Sequence, residues 1–395
     1  MAGWVRPLLR ALYARDEEAD VHLFFVPDEY ATGAEADVAR ETFPAASVYD
    51  PKDYLKVALG ARVPGLPARF DAVLYLGGDL MHASRLHKRL GGVAATYKFS
   101  RPRYARTFAR AYAVDEANAR QLLEWKTETA RIRVVGNLAI DGALLESRSP
   151  REAGYPQDGV LFMPGSRRYE IEHLIPFFFT SALRMRAENA SLPIAFGLSP
   201  FTALQAVSRA IEAGGHPRVW AEKGTLLQEG DRTFLASPDG KHRFPVVRHA
   251  LAAATAARLV VTIPGTKAIE LAALGKPAIA ITPLNAPEEI TINGPLTYLD
   301  RLPLMGRTLK RAAVVAVARR HRFHTQPNID AGEELIYEMH GTLTPGRVAR
   351  VALEKFADAS WLARVSQALA ALYKEHVGAA DRMAADLIAI SESGQ

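Results

Sequence analysis

Cysteine is absent from all 395 residues. That excludes disulfides, thiolate metal sites and a cysteine nucleophile, and it fits a reducing compartment. No run of about 18 apolar residues occurs, so no transmembrane helix is expected. The opening MAGWVRPLLRAL has too short an apolar stretch for a secretory signal and no convincing cleavage site, which makes the cytoplasm the expected location. Lysine is scarce: 37 of the 49 basic residues are arginine, against 43 acidic residues, for a net charge of +6. The surplus is spread along the chain without the clustering and interleaved aromatics of a nucleic-acid surface, so no nucleic-acid partner is expected. It reads either as genome composition or as a surface suited to an anionic substrate or anionic lipid. The 11 histidines form no HxxxH or HExxH pattern, and neither metal nor cofactor is expected.

What is present is 49 % hydrophobic residues, ample for sizeable cores in a chain long enough for two or three domains. Short apolar runs alternate with amphipathic helical stretches, the pattern of βα units on parallel sheets. Strands are predicted over 21–26 (VHLFFV), 46–49, 72–76 (AVLYL), 92–96, 110–114 and 131–135 (RIRVV). The polar stretch 146–157 (ESRSPREAGYPQ) is the best linker,. The pattern restarts over 160–163 (VLFM), 193–196, 218–220, 233–236, 259–262 (LVVT) and 277–281 (PAIAI), and the last 50 residues read as helices. The predicted class is α/β, with two doubly wound, Rossmann-like domains facing a cleft. They cover 1–148 and 155–375, with a terminal helix over 376–395. Ligands of such sheets sit at the carboxyl ends of the strands.

Two strand–turn–helix segments stand out. In 160–179 (VLFMPGSRRYEIEHLIPFFF) a buried strand ends at Met163 and a helix is predicted from near Arg168. Gly165 permits the sharp turn, Ser166 can cap, and Arg167 adds a fixed charge suited to phosphate. The bland reading is a routine βα turn with an exposed arginine. In 259–281 (LVVTIPGTKAIELAALGKPAIAI) a strand leads through Gly265 and Thr266 into a helix over 268–274. Its amides and dipole face the strand's carboxyl end, where an anion binds readily. Glu270, one turn deeper than Thr266, suits the two hydroxyls of a ribose or is a solvated helix residue. The P-loop spacing is absent.

The amino terminus departs from the scheme. Trp4, Val5, Leu8, Leu9 and Leu12 share one helix face,, yet no strand leads into it. Either the domain is a variant or the polypeptide begins upstream, and the second is the expectation here. Over 176–179 (PFFF) the phenylalanines read as core in preference to a membrane-dipping element. The densest basic patch, Lys88-Arg89 with 101–110 (RPRYARTFAR), is either a solvated face or a seat for lipid phosphate.

PGSRRYEIEHLIP (164–176), followed by PGTKAIELAALGKP (264–277), resembles lipid A disaccharide synthase, a family of inverting glycosyltransferases with the GT-B fold. The matches continue in 70–90 (FDAVLYLGGDLMHASRLHKRL), 132–141 (IRVVGNLAID), Gln326-Pro327-Asn328 and Tyr337-Glu338-Met339. The resemblance covers roughly residues 60–375. The family's first strand and Gly-rich loop have no counterpart, and GGDLMH spaces its carboxylate differently.

The resemblance implies transfer of a sugar from a uridine diphosphate sugar to a lipid-linked or saccharide acceptor. It implies a role in lipid A biosynthesis, and peripheral contact with the inner face of a membrane. The donor would bind the second domain through Gly165, Ser166, Arg167, Gly265, Thr266 and Glu270. Asn328 and Glu338 would position donor or helix termini, and Asp79 would be the general base. Two alternatives stay open: a sugar-nucleotide epimerase of the same fold, and a non-catalytic GT-B scaffold holding a nucleotide sugar or a partner.

Overall fold

A computed structural model describes residues 2–27, 35–77, 79–98, 107–199, 202–287 and 322–393. The chain divides into two compact units, Met1–Gly142 with Glu375–Gln395, and Ala143–Lys374.

The first unit begins with α1 (Ala2–Tyr13), β1 (His22–Phe24), α2 (Glu35–Thr42), β2 (Ser47–Tyr49) and α3 (Pro51–Ala58). It continues through β3 (Ala72–Tyr75), α4 (Leu80–Leu90), β4 (Val93–Tyr97), β5 (Arg110–Ala113), α5 (Glu116–Glu124) and β6 (Ile132–Val134). The strands form two parallel sheets, β1-β2 and β3-β4-β5-β6. The predicted face of α1 is used as drawn: Leu8 and Leu9 are buried, with Trp4 and Leu12 packed beside them. Asp50 and Asp115 cap α3 and α5 through their side chains, which explains why those helices start where they do,.

A helix begins at Leu138 (α6, Leu138–Glu146), and it ties the end of the chain into this unit. Asp141 accepts hydrogen bonds of 2.7 Å from the amides of Gly378 and Ala380 at the start of the last helix. Arg382 in turn donates to the Val135 carbonyl at 2.8 Å. Residues 132–141 therefore anchor a distant helix. Of the predicted basic patch, 101–106 lie outside the described residues, while Arg110 pairs with Asp386 at 2.8 Å.

The second unit follows with β7 (Val160–Phe162), α7 (Ile175–Glu188), β8 (Ile194–Gly197), α8 (Leu204–Ala213), β9 (Thr225–Glu229), β10 (Arg232–Ala236) and β11 (Arg243–Val247). Next come α9 (Ala250–Ala256), β12 (Leu259–Thr262), α10 (Thr266–Ala273) and β13 (Ala278–Pro283). The unit closes with α11 (Gln326–Ala331), β14 (Tyr337–Gly341), α12 (Pro345–Ala357) and α13 (Ala359–Leu372), and the last helix of the chain, α14 (Ala379–Ser393), belongs to the first unit. One sheet runs β14-β13-β12-β7-β8-β11-β10-β9. It is parallel from β14 to β11, and β10 and β9 are added antiparallel.

Phe177, Phe178 and Phe179 are fully buried. Phe178 meets Phe162 at 5.2 Å and Phe179 meets Phe244 at 5.9 Å between ring centroids, so this cluster is core. The strand predicted over 218–220 is instead a 3-10 turn, Pro217–Val219, followed by Trp220 at φ 50°. A proline at its start removes a ladder donor, and the left-handed residue ends any extended run. Three strands escaped the sequence reading. β9 is a largely exposed edge, β11 carries Pro245, and β14 (YEMHG) has no β-branched residue. Among the described residues no helix is long and apolar enough to cross a membrane.

Candidate functional site

The large sheet grows to both sides of β7. From β7 the chain moves outward to β8, whereas β12, entered much later, lies on the other side of β7 and leads outward to β13. This is a topological switch point, where the loops leaving two adjacent parallel strands diverge and open a crevice. The two segments singled out by sequence are those two loops. Val261 of β12 is in register with Phe162 of β7, and the Thr262 hydroxyl donates to the Met163 carbonyl at 3.1 Å. Gly165, Ser166, Arg167, Gly265, Thr266 and Glu270 are thus brought to the carboxyl ends of neighbouring strands.

After β7, Gly165 adopts φ +96°, and a side chain there would run into the Glu170 carboxylate. That carboxylate is the feature the sequence reading missed. One Glu170 oxygen accepts from the amides of both Ser166 and Arg167, each at 2.7 Å, and the Arg167 guanidinium lies 3.8 Å from the other. The amides at this helix start therefore hold an internal anion. Glu170 stands three residues after Arg167, the reach-back spacing of a capping box, and that was the available signal. The helix begins at Arg168, as the sequence predicts, and passes through a π-helical stretch over Glu170–Leu174 before continuing as α7 from Ile175. Arg167 is exposed, as is Arg168, which pairs with Glu172 at 2.8 Å.

After β12, Gly265 has φ +144° and nothing lies near the position a side chain would take. No side chain caps α10. The first-turn amides of a helix have no acceptor within it, so Thr266 and Lys267 present donors at an open end. Inside the helix Glu270 is 5 % exposed and pairs with the Lys267 ammonium at 2.6 Å. Burial pushes the Glu270 carboxyl up, and the ammonium opposes that shift,.

Asn328 and Glu338 form a separate constellation. Glu338, on β14, accepts from the His324 amide, the Thr325 amide and hydroxyl, and the Asn328 side chain at 2.7–2.8 Å. Asn328 is fully buried, donates to the Ile336 carbonyl and accepts from the amides of Leu335 and Ile336. Together they fasten the start of α11 to β14. Asp79 lies in the first unit, exposed at the start of α4, where it accepts from the Met81 amide at 2.8 Å. Among the described residues no group of three or more His, Asp and Glu side chains is placed to hold a metal ion.

No family model matches the chain, and no curated protein matches it in sequence. Solved structures do share its fold. The chain is similar to Staphylococcus aureus MnaA in a co-structure with UDP, at 14 % identity and TM-score 0.58 over 97 % of this chain and 91 % of that one. It is similar to UDP-GlcNAc 2-epimerase from Neisseria meningitidis bound to UDP-GlcNAc, at 12 % and 0.55 over 98 % and 96 %. A third is UDP-GlcNAc 2-epimerase from Methanocaldococcus jannaschii in complex with UDP-GlcNAc and UDP, at 11 % and 0.53 over 98 % and 96 %. These likenesses overturn the resemblance to lipid A disaccharide synthase. With it go the inverting glycosyltransferase activity, the lipid A pathway, the lipid acceptor and the membrane contact. What the comparison carries at this identity is the fold: α/β, with two Rossmann-like domains of GT-B type.

Proposed function

We propose that the chain binds a uridine diphosphate sugar at the β7–β12 switch point and acts as a sugar-nucleotide epimerase. The observation that carries this is the pair of Gly-containing turns, Gly165–Arg167 and Gly265–Thr266, at the carboxyl ends of adjacent parallel strands. The fold likeness to epimerases whose structures hold UDP or UDP-GlcNAc supports the same ligand class. In this reading the amides and dipole of α10 and the charge of Arg167 take the diphosphate. Glu270 accepts from the ribose once a ligand approaches. Asn328 and Glu338 hold the neighbouring turn in shape for the nucleotide.

Inverting a sugar carbon requires a proton to leave one face and return on the other. An exposed carboxylate at a strand's carboxyl end is suited to that work, and Asp79 is the residue proposed for it. A second reading, a scaffold that binds without turnover, draws support from Glu170, whose carboxylate already occupies two of the amides.

The test is a thermal-shift series with UDP, UDP-GlcNAc and ADP, followed by NMR of UDP-GlcNAc incubated with the protein. Uridine-selective stabilisation with appearance of the C2 epimer is expected. A ligand at 100 times its Kd stabilises by about 2.7 kcal/mol. Stabilisation without any epimer would favour the scaffold, and no preference for uridine would defeat both readings.

A further inference from the structure

The first unit contains two parallel sheets that share both of their helix layers yet, among the described residues, are not hydrogen-bonded to each other. On one face Phe24 of β1 and Val73 of β3 pack in a single cluster with Tyr54, Leu86 and Leu90 of α3 and α4. On the other face α1 serves both sheets: Leu9 and Leu12 pack with Leu23 and Phe25, while Trp4 and Leu8 pack with Leu74 and Leu76. Strands whose alternating side chains feed the same two layers lie in one sheet plane. Among the described residues, however, β1 pairs with β2 alone and β3 with β4 alone.

Between them is a cavity of about 730 Å³, lined by both strands together with Trp4 and Val5 of α1 and Leu86 and Leu90 of α4. Its walls are two strand edges. Val21 and Phe25 exchange hydrogen bonds with β2, so His22 and Phe24 turn their main-chain groups the other way, into the cavity. Asp71 bonds towards β4, so Ala72 and Leu74 face the cavity from the opposite wall. Every residue of β1 and β3 is only half-buried, whereas β4, β5 and β12 are almost wholly buried. Interior strands covered by helices on both faces should be buried throughout, so the exposure of β1 and β3 comes from their unpaired edges.

We propose that this slot seats one further β-strand, parallel to β1 and β3, formed by polypeptide that leads directly into α1. Its chemistry is that of an apolar, β-branched run whose side chains feed both helix layers. The direction of α1 selects this source. Trp4, near its start, stacks edge-on against Tyr97 at the carboxyl end of β4, at 5.5 Å. Leu12 and Tyr13, near its end, cluster with Val21 at the start of β1. The helix therefore runs against the strands, and its first turn stands at the carboxyl end of the slot. Strand, α1 and β1 then make one right-handed βαβ unit, the connection such sheets use. With the strand in place, six strands and the slot's occupant become a single doubly wound sheet.

The experiment compares the chain with two forms extended ahead of Met1, one by Val-Ile-Val-Ile-Ala-Gly and one by a Gly/Ser hexapeptide. Amide hydrogen exchange is read at Phe24 and Leu74. The expected result is slowing by about tenfold or more at both positions in the first form alone, the scale of one net backbone hydrogen bond. In that form Ala72→Pro, which removes a donor facing the slot and leaves the β3–β4 ladder intact, should reverse the gain. Equal exchange in both extended forms overturns the proposal. So does protection at Phe24 and Leu74 that grows with protein concentration, which would assign the edges to a second copy. Protection by the free acetylated peptide, with none from the fused one, would overturn the α1 connection.

Discussion

The carboxylate of Glu170 and the amide of Ser166 are joined at 2.7 Å, in the turn that leaves the central strand β7. An internal anion thus sits where a helix start would otherwise attract an external one. Glu170→Gln keeps the shape and removes the charge, so a diphosphate meets a weaker competitor. UDP affinity is expected to rise about tenfold, the scale of one charge-assisted hydrogen bond. Calorimetry showing equal or weaker binding in a folded variant would mean that the phosphate groups lie elsewhere.

The two glycines of the site should differ in what they tolerate. Gly165→Ala and Gly265→Ala each place a side chain at positive φ, a strain of about 1–3 kcal/mol,. Only at Gly165 does the new methyl also evict Glu170. Urea denaturation should show the larger loss for Gly165→Ala, by about 1.5–3 kcal/mol for the broken hydrogen bonds to a charged acceptor. Equal losses would show that the Glu170 contact contributes little.

Lys267→Met leaves the Glu270 carboxyl buried without its cation. The lysine is about a third exposed, so a loss of about 1–3 kcal/mol is expected, less than for a fully buried pair. The loss should depend on pH. Burial already holds the folded carboxyl above its ordinary range, and removing the ammonium raises it further. A raised carboxyl favours folding below its unfolded value and loses that advantage as pH rises through the folded value. The variant's deficit should therefore widen as pH rises above the ordinary carboxylate range, and a deficit independent of pH would contradict the coupling,.

Asp141 holds the last helix by two amides. Asn at this position turns one acceptor into a donor that faces an N–H. Asp141→Asn should cost about 1–3 kcal/mol, with exchange accelerated in α14 before the rest of the first unit. Uniform acceleration would show that the helix is not held through this residue.

Much of the fold is legible in the amino-acid sequence because a strand buried on both faces reads as an apolar run. VLFM, LVVT and PAIAI each predicted a strand of the large sheet, and the amphipathic face over Trp4–Leu12 predicted α1 with the residues it buries. Position in a sheet is written less clearly. β9 is exposed at an edge, β11 tolerates Pro245, and β14 reads as YEMHG, because ladder hydrogen bonds to neighbours outweigh weak local preference.

The site shows the same division. The sequence by itself determined two glycine turns, each placed between a strand and a helix, because only glycine accepts those backbone angles. It could not say that the two turns adjoin across a switch point, since strand order is a property of long-range pairing. Nor could it say that Glu170 folds back onto the amides of its own turn, or that Glu270 is sealed beside Lys267. Those follow from which groups the packed chain leaves without water, and a buried charge must then find a partner within reach. The slot between β1 and β3 has the same origin: an edge left unpaired among the described residues exists only once the other described strands have found their neighbours.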